Sequence, residues 1–217
     1  MMNVVEQLQW RYATKKFDRD KKLEMNQVER LLQSFNLTAT SYGLQPLKMV
    51  VVQDERIQEN LVAASYNQRQ VADASHLLVI CIETEVNAQF VRTYFEHVKK
   101  IRETPEKILK PFREDLEQKF DAQSKAETKN WAAKQAYLAL GNLLTVCALE
   151  EIDSCPMEGF QPDKYADILG LHDQNLEAVL VLPVGYRAED DMFAEFKKVR
   201  RPLDESVVFF GKDESHI

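Results

Sequence analysis

Two basic clusters, one near each end of the chain, are the residues best suited to do chemistry: Arg11-Tyr12-Ala13-Thr14-Lys15-Lys16-Phe17-Asp18 and Lys197-Lys198-Val199-Arg200-Arg201-Pro202. The chain is otherwise acidic, with a formal net charge of −7. Positive charge at both ends of an acidic chain suggests that folding brings the ends together around one anion. Guanidinium groups fork onto phosphate oxygens and lysines add point charge, so a phosphorylated ligand is the natural candidate. The competing reading is a solvated basic surface, and charge patterning taken alone favours it.

Two further segments could complete such a site. Thr38-Ala39-Thr40-Ser41-Tyr42-Gly43-Leu44-Gln45-Pro46 is a hydroxyl-rich connection, able to offer hydroxyls and backbone N–H groups to an anion, with Gly43 permitting close approach. Pro156-Met157-Glu158-Gly159-Phe160 reads by default as a Pro–Gly turn whose N–H groups could face a flat heteroaromatic ring. Neither a GxGxxG dinucleotide fingerprint nor a GxxxxGK[ST] phosphate loop occurs, and GxSxG and HExxH are absent. His76, His97, His172 and His216 are not spaced for a metal, so no metal site is expected.

These segments need a scaffold, and the apolar pattern supplies one. Residues 3–12 read as a helix, and Asn26 can cap a second helix carrying Val28, Leu31, Leu32 and Phe35. Leu47–Val52 reads as a strand, followed by a polar helix over about 54–64. The unbroken apolar run Leu77–Ile82 marks a central strand buried on both faces. Residues 86–122 read as polar helix broken at Thr104-Pro105 and near Pro111. The longest helix should cover about 125–150, its C-terminal half buried nearly all round, with Gly141 marking the close approach of another helix. A wholly buried helix in a chain this small implies that a second subunit covers part of it. A strand near Ile152, a short helix over about 163–169, a strand at Leu176–Val184 and a short apolar strand at Ser206–Phe210 complete the pattern. Two or more helices intervene between Leu77–Ile82 and Ile152, so strands and helices do not alternate as strict βαβ units and an α+β arrangement around a mixed sheet is expected.

Composition bounds the rest. At 217 residues and 45% hydrophobic content, with few glycines and prolines and no linker, the chain reads as one domain with a real core. An isoelectric point near 5.3 argues against nucleic acid and polybasic membrane anchoring. No apolar run approaches the roughly 20 residues that span a bilayer, and the first residues do not resemble a signal peptide. Cys81, Cys147 and Cys155 are widely spaced and odd in number, which suits free thiols in a reducing cytoplasm.

Taken together, the segments resemble the nitroreductase family. Arg11 to Asp18 is similar to its R-x-S-x-R/K-x-F opening, and Ser41 to Pro46 to its S-x-x-x-Q-P loop. Asn67-Gln68-Arg69-Gln70, Asp73-Ala74-Ser75-His76, Trp131 to Gln135, Pro156 to Phe160, Pro183 to Tyr186 and Lys198 to Pro202 follow in the family's order, over essentially the whole chain. The resemblance is nearest to the oxygen-insensitive NAD(P)H nitroreductases, also described as dihydropteridine reductases.

That resemblance implies a homodimer with FMN at the subunit interface and the tail from Leu203 to Ile217 wrapped onto the partner. By position, Arg11, Lys198 and Arg200 would hold the FMN phosphate, assisted by the backbone at Tyr12 and Ala13. Lys15 and Asn67 would meet the flavin's pyrimidine edge, with Gln70 nearby. Thr40, Ser41 and Gly43 would come from the other subunit, and Pro156, Glu158 and Gly159 would lie along the isoalloxazine. NADH or NADPH would pass hydride to flavin N5, and a nitroaromatic, quinone or pteridine acceptor would then collect it by a ping-pong mechanism. No acid–base side chain is required, and Glu158 is a candidate proton donor. Phe112, Phe120, Tyr94 and Phe95 fall in the segment the family uses as a lid. The sequence departs from the pattern at Ala13 (usually serine), Ala39 (commonly proline) and Gln70 (often lysine). The last change removes a cation that would stabilise reduced flavin. A module that carries FMN without turnover is the alternative function.

Overall fold

A computed structural model describes residues 3–211. In chain order the elements are α1 (Val4–Trp10), α2 (Met25–Asn36), β1 (Leu47–Val52), α3 (Glu55–Ala64), α4 (Gln70–Asp73) and β2 (His76–Glu83). There follow α5 (Ala88–Arg102), α6 (Glu106–Ala122), α7 (Lys125–Leu149), β3 (Asp153–Ser154), α8 (Pro162–Leu169), β4 (Leu176–Gly185) and α9 (Leu203–Ser206).

The sheet has the order β1-β2-β4-β3, and every pairing between these strands is antiparallel. Its parallel component is one isolated bridge, Ala13 to Ser154, where the chain leaving α1 runs beside β3. The apolar run of β2 is explained by its position: Leu77, Val79 and Cys81 face one core, with Tyr165 and Phe160, while Leu78, Ile80 and Ile82 face another, with Ala136, Leu140 and Leu143 of α7. A third apolar cluster joins α5 to α6 through Val91, Phe95, Leu109, Leu116 and Phe120.

Several expectations are corrected. Asn26 lies inside α2, because the helix starts two residues earlier, capped at Glu24, whose N–H donates to Gln27 Oε1 at 3.0 Å. α6 continues through Pro111; proline forgoes one backbone bond, but Leu109, Leu116 and Phe120 bury the helix on both sides of it. Residues 207–210 form no strand, since no strand of this chain lies alongside to pair with them; 203–206 instead make one helical turn. The end of the expected tail, 212–217, lies outside the described residues.

α7 also differs. Ala132, Ala136, Ala139, Leu143 and Cys147 are fully buried, but Leu138 is 54% exposed and Tyr137 47%. Among the described residues nothing lies within 4 Å of where a Cβ on Gly141 would sit, so none of the described helices approaches there. Within one chain, α7 buries one face and leaves the opposite face open.

Candidate functional site

The two chain ends converge. α1 ends at Arg11, whose N–H closes the helix on Gln7 O at 3.1 Å. The next residues are pinned along the sheet edge: Thr14 N donates to Ser154 O at 3.2 Å, and Asp18 N to Tyr186 O at 2.8 Å. Beyond β4 the chain doubles back. Lys198 Nζ donates to the carbonyl oxygen of Arg11, and Arg200 lies within electrostatic range of both Arg11 and Lys198. A separation of 187 residues is thereby reduced to one hydrogen bond.

The charges in this cluster are unsatisfied. Among the described residues, Arg11, Lys198 and Arg200 have no carboxylate within ion-pair distance. The Arg11 Nε is buried and lacks a hydrogen-bond partner. Burial, followed by the charge of Arg200, lowers the Arg11 pKa; burial, then Arg11, Arg200 and Arg187, lowers that of Lys198. Arrangements of cations that discourage one another's protonation are sites that an anion would relieve.

Two buried carboxylates brace the cluster from behind. Asp191 accepts from Lys15 N (2.8 Å), Lys16 N (3.1 Å) and the Tyr12 hydroxyl (2.8 Å). Asp153 accepts from Arg187 Nε (2.7 Å) and Arg187 N (2.8 Å), and the Arg187 guanidinium stacks between the rings of Trp10 (4.4 Å) and Tyr12 (4.6 Å).

A second group forms where two loops meet. Gln68 Nε2 donates to Gly159 O at 2.8 Å and to Ser65 O at 3.1 Å. A Cβ on Gly159 would lie 3.0 Å from that same nitrogen, so only glycine fits without displacing it. Tyr66 (φ 53°) and Asn67 (φ 60°) are consecutive left-handed residues, a costly conformation that this lock and the Asn67 N to Val62 O bond (3.0 Å) hold in place. Glu158 accepts from the Tyr137 hydroxyl at 2.6 Å, which together with partial burial raises the Tyr137 pKa. Gln70 opens α4 and is buried; Pro156 leads into the bridge between Met157 and Val181.

The hydroxyl-rich loop stands apart. Ser41 N donates to Gln135 Oε1 at 2.8 Å, and the Thr40 hydroxyl accepts from Gln45 N at 3.1 Å. Gly43 has φ 73°, with the Tyr94 hydroxyl 2.5 Å from where a Cβ would be. Gln135 lies twelve residues along α7 from Cys147, which is within electrostatic range of Arg11. At 1.5 Å per residue that is roughly 18 Å. Within one chain Thr40, Ser41 and Gly43 therefore do not join Arg11, Lys198 and Arg200. Of the four lid aromatics, Phe95 and Phe120 are buried, Tyr94 packs on Gly43, and Phe112 is 47% exposed.

Arg187, Asp153, Asp191 and Tyr137 are part of these arrangements, and the sequence reading missed them. Only Tyr137 left a trace, as an aromatic on a helix whose face looked buried. The other three are recognisable only once the sheet edge and the returning chain are in place. Among the described residues no group of three or more His, Cys, Asp or Glu is placed to hold a metal ion, and no helix is long and apolar enough to cross a membrane.

Comparison with known proteins agrees with this architecture. Residues 8–186 match the sequence pattern of the nitroreductase family. A Staphylococcus aureus protein provisionally named an NAD(P)H nitroreductase is 33% identical over 97% of each chain. A Staphylococcus epidermidis crystal structure described as an NAD(P)H:FMN oxidoreductase superposes with a TM-score of 0.84 at 21% identity, over 97% of each chain. An Exiguobacterium sibiricum nitroreductase structure, solved in complex with FMN, superposes with a TM-score of 0.82 at 19% identity, over 97% of this chain and 98% of that one.

Proposed function

This chain belongs to the nitroreductase family, and we propose that it is an FMN-dependent NAD(P)H oxidoreductase whose FMN phosphate is held where the two chain ends converge. The observation that carries the proposal is the set of cations at that point, Arg11, Lys198 and Arg200, which among the described residues have no carboxylate within ion-pair distance; burial and then neighbouring positive charge lower the pKa of Arg11 and of Lys198. A phosphate monoester carries about two negative charges, and each charge-assisted hydrogen bond to it contributes about 1.5–3 kcal/mol. The buried, unpartnered Arg11 Nε supplies one donor that such an oxygen would satisfy. The residues present therefore fit the group.

When bound, FMN supplies the two-electron chemistry, accepting hydride from reduced nicotinamide at N5 and passing it to an aromatic acceptor. The chain's own part is to bind and orient. Tyr12 and Ala13 add backbone contacts near the phosphate, while Lys15, Asn67 and Gln70 line the pyrimidine edge. Gln68 fixes the carbonyl of Gly159 and would thereby steady the Pro156–Gly159 backbone beside the ring system. The Tyr137 hydroxyl engages the Glu158 carboxylate, which would leave the loop's contact with the flavin to its backbone.

The hydroxyl loop completes the site from a second copy. Its distance from the cluster along α7 supports this, as do the open face of α7 around Leu138 and Gly141 and the exposed apolar residues of α1, Val4, Val5 and Leu8. The uncovered Val208, Phe209 and Phe210, at 76, 60 and 98% exposed, would dock on that copy. One face used in turn by nicotinamide and acceptor gives ping-pong kinetics, and nitroaromatics, quinones or pteridines suit a wide, shallow pocket.

The test is steady-state oxidation of NADH and NADPH by the FMN-loaded protein with menadione or nitrofurazone as acceptor. Turnover with parallel double-reciprocal lines is expected. Flavin-loaded protein that never oxidises reduced nicotinamide would support a carrier instead.

A further inference from the structure

Asp191 is 4% exposed, yet its carboxylate meets none of the cations of the phosphate cluster. Its Oδ2 accepts from Lys15 N, Lys16 N and the Tyr12 hydroxyl, and its Oδ1 from Phe193 N at 3.2 Å. All four donors are neutral. Burial alone would push this carboxyl's pKa up, but the bonds from Lys15 N, Lys16 N, Tyr12 and Phe193 N more than offset it and hold it below the usual range. A buried carboxylate is tolerated when its lone pairs are filled in this way.

The donors come from two segments. Tyr12, Lys15 and Lys16 belong to the strand that leaves α1 with Arg11, and Phe193 begins the return that carries Lys198 and Arg200. These segments bear like charges and repel: after burial, the charge of Arg11 lowers the Lys198 pKa and the charge of Arg200 lowers that of Arg11. A tie is needed to keep them adjacent before any anion arrives. On the Arg187 side that repulsion is already answered by Asp153 and the Trp10–Tyr12 stack. On the side of Lys198 the strand and the return are joined by the Lys198 bond to the Arg11 carbonyl, by the exposed Lys16–Asp190 pair and by Ala188 N donating to Lys16 O at 2.9 Å, and Asp191 is the buried carboxylate among these ties, gathering four donors from both segments.

We propose that Asp191 is a positioning residue for phosphate recognition: a buried carboxylate that clasps the two cationic chain segments together, by their backbone and Tyr12, so that Arg11, Lys198 and Arg200 are pre-arranged for the phosphate. The proposal rests on the phosphate-site reading above. Its consequence is selective. Losing the clasp loosens the grip on a phosphorylated ligand while leaving the isoalloxazine contacts of the 66–70 and 156–159 loops as they were.

The test titrates flavin-stripped protein with FMN and with riboflavin, which lacks the phosphate, following quenching of flavin fluorescence. Asp191→Asn should weaken FMN binding about ten-fold, the loss of a charged hydrogen-bond acceptor, with riboflavin affinity unchanged. Tyr12→Phe, which removes one donor and keeps the ring, should weaken FMN about three-fold with the same selectivity. Should Asp191→Asn fail to fold, Tyr12→Phe decides the matter. Equal loss of both ligands, or loss of neither, overturns the clasp. Wild-type protein that binds FMN no more tightly than riboflavin overturns the phosphate site itself, a separate result.

Discussion

The α5–α6 face and the converged chain ends both gather arginines and lysines, but they treat them oppositely. On α5–α6 three of them have acidic neighbours: Arg113 sits 2.6 Å from Glu106 and 3.3 Å from Glu117, Arg92 3.2 Å from Glu117, and Lys99 3.6 Å from Glu106. There the bond to Glu106 raises the Arg113 pKa, and the bond to Arg113 lowers that of Glu106. At the chain ends Arg11 and Lys198 move the other way, Arg11 through burial and then the charge of Arg200, Lys198 through burial and then the charges of Arg11, Arg200 and Arg187. Positive charge by itself says little. Charge left uncompensated in a partly buried place is what marks a binding site, and in an acidic chain such neglect requires the fold to hold like charges together.

Breaking the terminal cluster should have the largest effect. Arg11→Ala with Arg200→Ala removes two phosphate donors, and FMN affinity should fall at least ~100-fold with riboflavin affinity little changed. Fluorescence titration of the stripped protein checks this, and an equal fall for both flavins would speak for general unfolding. Next comes a site that couples α5 to the hydroxyl loop. Gly43→Ala places a methyl against the Tyr94 hydroxyl at a left-handed φ and should cost about 1–3 kcal/mol of stability. Tyr94→Phe in the same chain should restore part of the lost melting temperature; no recovery would mean that the backbone alone is at fault.

A smaller effect follows from pH. The Lys198 pKa lies below its ordinary 10.5 in the flavin-free protein, and a phosphate favours its charged form. FMN affinity should therefore decline as pH rises through that lowered pKa. In flavin-free protein the unfolded state binds the extra proton between the lowered value and 10.5, so Lys198 makes stability rise with pH across that window. Titration of Lys198→Gln from neutral to alkaline pH should show a flatter FMN profile, and an unchanged slope would remove Lys198 from the site. The smallest effect belongs to the matched face: Arg92→Gln should leave FMN affinity as it was and barely shift the melting temperature, because solvent-exposed pairs are weak.

Much of this was legible in the sequence where local pattern determines structure. β1 spans Leu47–Val52 as its apolar run implies, β2 adds one residue at each end of Leu77–Ile82, and α7 ends one residue short of Glu150. The meeting of Arg11 with Lys198 could be read because both clusters contrast with an acidic chain. Elsewhere the pattern was silent or misleading. Asp191 and Asp153 look like any surface aspartate until the backbone N–H groups and the Arg187 guanidinium that fill their lone pairs are brought to them. Val207–Phe210 looks like a strand from its side chains, yet a strand needs a neighbour, and this chain provides none. The open face of α7 shows the same limit, since apolar residues all round a helix do not say whether one chain or two will cover them.

A crystal structure of the FMN-loaded protein tests the central claim most directly. The account places the phosphate within hydrogen-bond reach of Arg11, Lys198 and Arg200 of one chain, with Thr40, Ser41 and Gly43 contributed by a second copy. A phosphate bound elsewhere, with those three cations facing solvent, would contradict it.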